Sequence, residues 1–97
     1  MRVENHVEAD QELVEESRYI EQQRAGYGER FIAAFEDTRD LISEYPKIGR
    51  QEGRVRFRKI RRFRYNVIYA VRKGSILIVA VAHTSKRPGY WSHRLRR

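Results

Sequence analysis

The residues of this chain best suited to chemistry lie close together near its end: His83, Arg87 and Tyr90, with His93 and the basic stretch Arg94–Arg97 just beyond. Cleaving a phosphodiester through a neighbouring 2′-hydroxyl needs a base for that proton, an acid for the leaving 5′-oxygen and cations for the charge growing on phosphate. Histidine titrates near neutrality and can exchange the proton. Arg87 can hold phosphate bidentately, and Tyr90 or Lys59 can assist. No carboxylate follows Glu52, so a base must be His83, His93 or a group reaching over from the first half. The ordinary roles of these residues are structural: a histidine capping a strand end, and Tyr90-Trp91 anchoring a terminal turn on a sheet.

All 13 acidic residues fall within the first 52 positions, where seven lysines and arginines leave a net −6. The remaining 45 residues carry fourteen lysines and arginines and no acid, a net +14, giving the overall +8. Surfaces usually mix both signs. A half with one sign only attracts phosphate or a strongly acidic partner. The cations expected to meet such a target are Arg54, Arg56, Arg58, Lys59, Arg61, Arg62, Arg87 and Arg94, with Trp91 or Tyr90 available to stack a base. The plain alternative for Arg54, Arg56 and Arg58 is a solvated strand face.

These side chains must be positioned by one small domain covering 1–97, since 97 residues support a single modest core. With 40% apolar and 11% aromatic residues, the composition suits a folded chain. There is no cysteine, which removes disulfides, thiolate metal sites and a cysteine nucleophile. The three histidines are scattered without metal-ligand spacing, so neither a metal nor a cofactor is expected. The N-terminus lacks the apolar core of a signal peptide, and the longest apolar run, Ile76–Ala82, falls far short of a bilayer span. A cytoplasmic location is expected.

Arg2–Val7 reads as a short strand. Ala9, Leu13, Ser17 and Ile20 then recur at helical spacing, with Glu8, Asp10 and Glu12 suited to the helix N-terminus and Gly26 as the stop. Phe31, Phe35, Thr38, Ile42 and Tyr45, widened by Leu41, form the apolar stripe of a second helix ended by Pro46. Phe35 and Leu41 are expected in the core. Lys47–Gly53 reads as a loop. The period then changes to two in Val55–Lys59 and Phe63–Val71. Lys73-Gly74 is a hairpin turn, and Ser75–His83 is a strand apolar on both faces. The expected fold is α+β, β-α-α-β-β-β, an antiparallel meander sheet with a helical hairpin on one face.

The succession of a helical hairpin, Tyr45-Pro-Lys-Ile-Gly49, Arg61-Arg-Phe-Arg-Tyr-Asn-Val-Ile-Tyr69, Ile78-Val-Ala-Val-Ala-His83 and Arg87-Pro-Gly-Tyr-Trp91 resembles the RelE/ParE superfamily of bacterial type II toxins over nearly the whole chain. The resemblance implies a toxin held inactive by a cognate acidic antitoxin. Its target would be DNA gyrase in ParE-like members and ribosome-bound mRNA in RelE-like endonucleases. RelE-like enzymes resemble this chain in the basic strand at Arg56–Lys59 and the arginine at Arg87. They also carry an arginine after the third-strand tyrosine, where this chain has Asn66, and a tyrosine six residues past the post-strand arginine, where it has His93. Tyr90 lies only three residues past Arg87. The resemblance therefore leans toward ParE-like gyrase inhibition. Metal-independent RNA cleavage by His83, Arg87 and Tyr90, and a non-toxic RNA-binding module, are the alternatives.

Overall fold

A computed structural model describes residues 1–96; Arg97, the last cation of the basic stretch, lies outside the described residues. The chain runs β1 (Arg2–Asn5), α1 (Val7–Gln23), α2 (Tyr27–Glu44), β2 (Arg50–Glu52), β3 (Val55–Lys59), β4 (Tyr65–Arg72) and β5 (Ser75–His83), and closes with a 3₁₀ turn at Ser92–Leu95. The five strands form one sheet in the order β1-β5-β4-β3-β2. Strands β3 to β5 are the expected antiparallel meander, and β2 extends it by one strand. β1 joins parallel to β5, pairing Arg2–Asn5 with Ser75–Ile78, so the sheet is mixed.

The helical hairpin covers one face. Phe31, Phe35 and Ile42 of α2 and Ala9 of α1 pack with Ile60, Tyr65, Val67, Tyr69, Ile76, Ile78 and Val81. The stripe read from the sequence is buried at Phe31, Phe35, Thr38 and Ile42, and Gly28 is buried beside it. Its end differs: Tyr45 is 56% exposed, and Leu41 stands half-buried on the rim, because the core closes at Ile42. The helices approach closely where Gly28 meets α1; a Cβ there would sit 2.7 Å from the Ser17 carbonyl oxygen. Gly26 does not end α1, which stops at Gln23. It adopts φ 87° just before α2, and the Glu21 carboxylate accepts from the N–H groups of both Gly26 and Gly28.

Strand β5 is apolar on both faces, and a bulge sets how it divides. Ile68 pairs with Ala80 but Tyr69 with Ile78, leaving Val79 as an extra residue. Val79 and Ala80 therefore both face away from the helices, and Val81 returns to them. On this outer face Val55, Ile68, Ala70, Val79, Ala80 and Ala82 pack under Trp91, with Tyr90 and Leu95 at the margin. The C-terminal segment is thus a cover for the second face of the sheet.

Three departures from the expected element bounds have local causes. β1 stops at Asn5 because His6 caps α1, its Nδ1 accepting from the Glu8 N–H at 3.1 Å. The expected loop at 47–53 holds β2, joined to β3 by a tight turn in which Gly53 takes φ 59°. β4 begins at Tyr65 because Ile60–Phe63 forms a turn, the Phe63 N–H donating to the Ile60 carbonyl and Arg62 adopting φ 72°. Just before β2, Gly49 leaves room for Tyr69, whose hydroxyl accepts from the Gly49 N–H and donates to the Pro46 carbonyl, each at 2.8 Å.

Phe35→Ala should destabilise the fold by about 3–5 kcal/mol, the range for emptying an aromatic site in a core. Leu41→Ala should cost on the order of 1 kcal/mol, since only part of its surface leaves solvent. Urea unfolding of the two variants checks the order; equal losses would place the core boundary wrongly.

Candidate functional site: a cationic cleft and a committed C-terminus

The cations divide by what their side chains touch. Arg39 of α2 donates to the Val3 carbonyl at 2.8 Å and reaches the Asn5 side chain, closing the outer edge of β1. Arg56 donates to the carbonyls of Lys47 and Gly49 and to Gln51 Oε1, fixing the segment that leads into β2. Arg94 is 7% exposed and forms a fork with Glu12, Nη1 to Oε1 at 2.9 Å and Nη2 to Oε2 at 3.0 Å, while Nη1 also donates to the Val79 carbonyl. These arginines hold backbone at strand edges and bends, where unpaired carbonyls would otherwise be stranded.

Glu12 is the centre of the C-terminal arrangement. Beyond Ile78, β5 has no β1 neighbour, and Glu12 Oε1 accepts from the Val81 N–H at 2.9 Å. The Tyr90 hydroxyl donates to Glu12 Oε2 at 2.7 Å. Burial, reinforced by the hydrogen bond to this carboxylate, pushes the Tyr90 phenol well above its ordinary value of 10.0. Arg94 Nε is buried without a hydrogen bond, 3.3 Å from Glu8 Oε1, at ion-pairing distance only. Glu8 also faces His93 Nε2 at 3.2 Å. Its carboxyl feels burial, which raises it, but His93 and the Arg94 charge outweigh this and hold it below 4.5.

Of the residues expected at a nuclease site, His83 and Tyr90 each engage a different partner. His83 Nδ1 accepts from the Ser85 N–H at 3.0 Å and lies 2.7 Å from Ser85 Oγ, while its ring meets Tyr65 edge-on at 5.1 Å. Arg87 is exposed on the turn that follows β5, and Tyr90 is held by Glu12. Trp91, expected to stack on a base, is buried at 9% exposure, edge-on to Phe57. Arg94, expected to meet a target, is committed to Glu12 because its burial requires a counter-charge. Arg54 stands exposed at the β2–β3 turn, apart from the cleft described next.

Four of the expected cations are brought together. Arg58, Lys59, Arg61 and Arg62 form one wall of a cleft of about 700 Å³ whose other wall is the flank of α2. That flank contributes Tyr27, Arg30, Ala34, Asp37 and Leu41, and Phe63 also lines the cleft. The same four cations line a second depression of about 520 Å³ toward Arg50 and Phe57. Arg30 lies over the Tyr27 ring, 4.6 Å from its centre, with Arg24 at 4.1 Å. Among the described residues, none of Arg30, Arg58, Lys59, Arg61 and Arg62 has a carboxylate within 4.0 Å. Arg30 and Tyr27 were not singled out by sequence. Their signal is the second helical spacing on α2, Tyr27, Arg30, Ala34, Asp37 and Leu41, beside the core stripe. No group of three or more histidines, aspartates and glutamates among the described residues is placed to hold a metal ion.

The family model described as "ParE toxin of type II toxin-antitoxin system, parDE" matches residues 3–88. The chain belongs to the ParE toxin family. It is the toxin of a type II toxin–antitoxin pair, and an antitoxin is its partner. A search of curated proteins finds no match. The family match takes in both walls of the cationic cleft and ends before Tyr90, Trp91 and Arg94. No helix among the described residues is long and apolar enough to cross a membrane.

Arg94→Ala should destabilise the toxin by about 3–5 kcal/mol, because it leaves the Glu12 carboxylate half-buried without its cation. The pH profile of the melting temperature has two limbs. Glu8 and Glu21 lie below 4.5 in the folded state, Glu21 because the N–H groups of Gly26 and Gly28 donate to it. Their contribution is present above pH 4.5 and is lost as pH falls through their lowered values. Tyr65 and Tyr90 are raised above 10.0, so theirs is present below pH 10 and declines as pH climbs above it. Tyr90→Phe should reduce the alkaline fall. A variant profile that superimposes on the parent above pH 10 would exclude Tyr90 from that limb.

Proposed function

We propose that this toxin arrests growth by binding DNA gyrase and blocking supercoiling, and not by cutting mRNA. The observation that carries this reading is the hydrogen bond between Tyr90 and Glu12. A half-buried phenol hydrogen-bonded to a carboxylate, with its proton held more tightly than in water, is a poor proton donor to a substrate. The histidine candidates have partners of their own: His83 Nδ1 accepts from the Ser85 N–H, and His93 Nε2 faces Glu8. Asn66 stands where RelE-like enzymes have an arginine, so one phosphate-stabilising group of that mechanism is missing as well. Neither cleft lined by Arg58 and Arg62 includes His83, Arg87 or Tyr90. Cationic surface without an assembled acid–base pair suits inhibition by association, in which contacts are shared among several side chains.

Expression under tight control, with DNA supercoiling and mRNA integrity scored separately, tests the proposal. Supercoiling should fall while mRNA stays intact, and co-expression of the antitoxin should restore growth. His83→Ala and Arg87→Ala should each weaken inhibition by less than about tenfold, as expected for exposed contacts. Removing a proton-transfer or phosphate-stabilising group from a nuclease would instead cost about 10²–10³-fold. Site-specific mRNA cuts that vanish in Arg87→Ala would overturn the proposal. Deletion of Tyr90–Arg97 is a poor probe, since it also uncovers the outer face of the sheet.

A further inference from the structure

The turn at Ile60–Phe63 contains a conformation its sequence does not favour. Arg62 is the one non-glycine residue with positive φ among the described residues, at 72°, and it occupies the third position of a tight turn closed by the Phe63 N–H and the Ile60 carbonyl. That position favours glycine or asparagine, because a Cβ there crowds the backbone. The turn offers Arg62 no ion pair in return. Strain held at an exposed residue, with nothing in the fold to require that side chain, points to a ligand that does.

We propose that the Arg58–Arg62 segment is a binding site for the phosphodiester backbone of a single nucleic-acid strand. The strand would run from the α2-side cleft across the turn to the depression by Arg50 and Phe57. This goes beyond the gyrase reading and stands without it. Four features support a phosphate backbone. The five cations lining the larger cleft lack carboxylate partners among the described residues, so binding breaks no ion pair within the fold. Four of those five are arginines, whose planar forks match phosphate oxygens better than lysine does. The second depression adjoins the first and shares Arg58, Lys59, Arg61 and Arg62, giving an extended track instead of a pocket for one small anion. The single acid, Asp37, lies on the α2 wall, away from the Arg61–Arg62 turn in sequence and element. Phe63 in the cleft adds an aromatic surface on which an unpaired base can rest, which favours a single strand over a duplex whose bases are already stacked.

Fluorescence anisotropy of the purified chain with labelled oligothymidylate, oligouridylate, a duplex of equal length and a polyglutamate peptide tests the site. The single strands should bind, with log K falling against log salt by about 0.7 for each phosphate neutralised, or roughly −3 for four to five contacts. The DNA and RNA arms identify which strand is the source. Arg62→Gly should weaken binding about 3- to 10-fold and make the salt slope shallower by about 0.7. Its melting temperature should hold or rise by a few degrees, because the strained φ is relieved. Arg30→Ala should weaken binding similarly from the opposite wall. Arg18→Ala, which removes an exposed charge from α1, should leave affinity within about twofold. Unchanged affinity in both Arg62→Gly and Arg30→Ala would overturn the proposal, as would an equal loss in Arg18→Ala. Duplex or polyglutamate binding at least as tight as the single strands would also overturn it, the latter in favour of an acidic protein segment.

Discussion

Glu12 lies on a helix, but its carboxylate does its work at the edge of a sheet. β1 is four residues long and β5 nine, so β5 continues past its parallel neighbour with exposed hydrogen-bonding groups. Glu12 accepts from the Val81 N–H there, and Arg94 donates to the Val79 carbonyl two residues earlier, at the bulge. Desolvating a carboxylate is costly by several kcal/mol unless donors replace water. Here the Val81 N–H, the Tyr90 hydroxyl and the Arg94 fork supply them. One carboxylate thereby joins three parts of the chain: α1, the unpaired end of β5, and the terminal segment. The outer sheet face depends on that junction, because Trp91, which covers Val79 and Ala80, lies between Tyr90 and Arg94 in sequence and is held from both sides.

This junction also explains how a strongly basic half can fold. Concentrating like charges destabilises a compact state through repulsion. The structure lessens this by committing some cations to backbone carbonyls and to the half-buried Glu12. Arg56 and Arg94 close a bend and a strand edge, while Arg58, Lys59, Arg61 and Arg62 gather at one cleft, joined there by Arg30 of α2. The cations gathered there act on an incoming anion between two walls of protein.

The sequence made much of this legible. Helical spacing located Phe31, Phe35, Thr38 and Ile42, period two located β3 and β4, and an apolar run on both faces located β5, in the order of a meander. Charge asymmetry located the half carrying the cleft. Other features depend on distant pairings that no local pattern records. β2 is fully exposed and polar, so it has no alternation to betray it; it is a strand only because β3 pairs with it. The bulge at Val79 is hidden in an unbroken apolar run. Tyr90 reads as a proton-transfer group until Glu12, 78 residues earlier, is found beside it. Arg94 in the same way reads as free charge until its burial is seen.

Tyr90 and Arg62 show why residue type alone misplaces function in this chain. Tyr90 has the chemistry of a catalyst and the surroundings of a fastener: half-buried, hydrogen-bonded to a carboxylate, and part of the contact that holds Trp91 down. Arg62 has the chemistry of an ordinary surface cation and surroundings that the fold alone does not account for. Its neighbours neither pair with it nor need its side chain, and its backbone occupies a region that costs an L-residue about 1–2 kcal/mol. A fold of this size has only about 5–15 kcal/mol of net stability, so such a cost is appreciable at a position where glycine would fit without it. Physical context thus moves the functional weight of the basic half away from the C-terminal tyrosine and tryptophan, whose roles the packing explains, and toward the β3–β4 turn, whose conformation it does not.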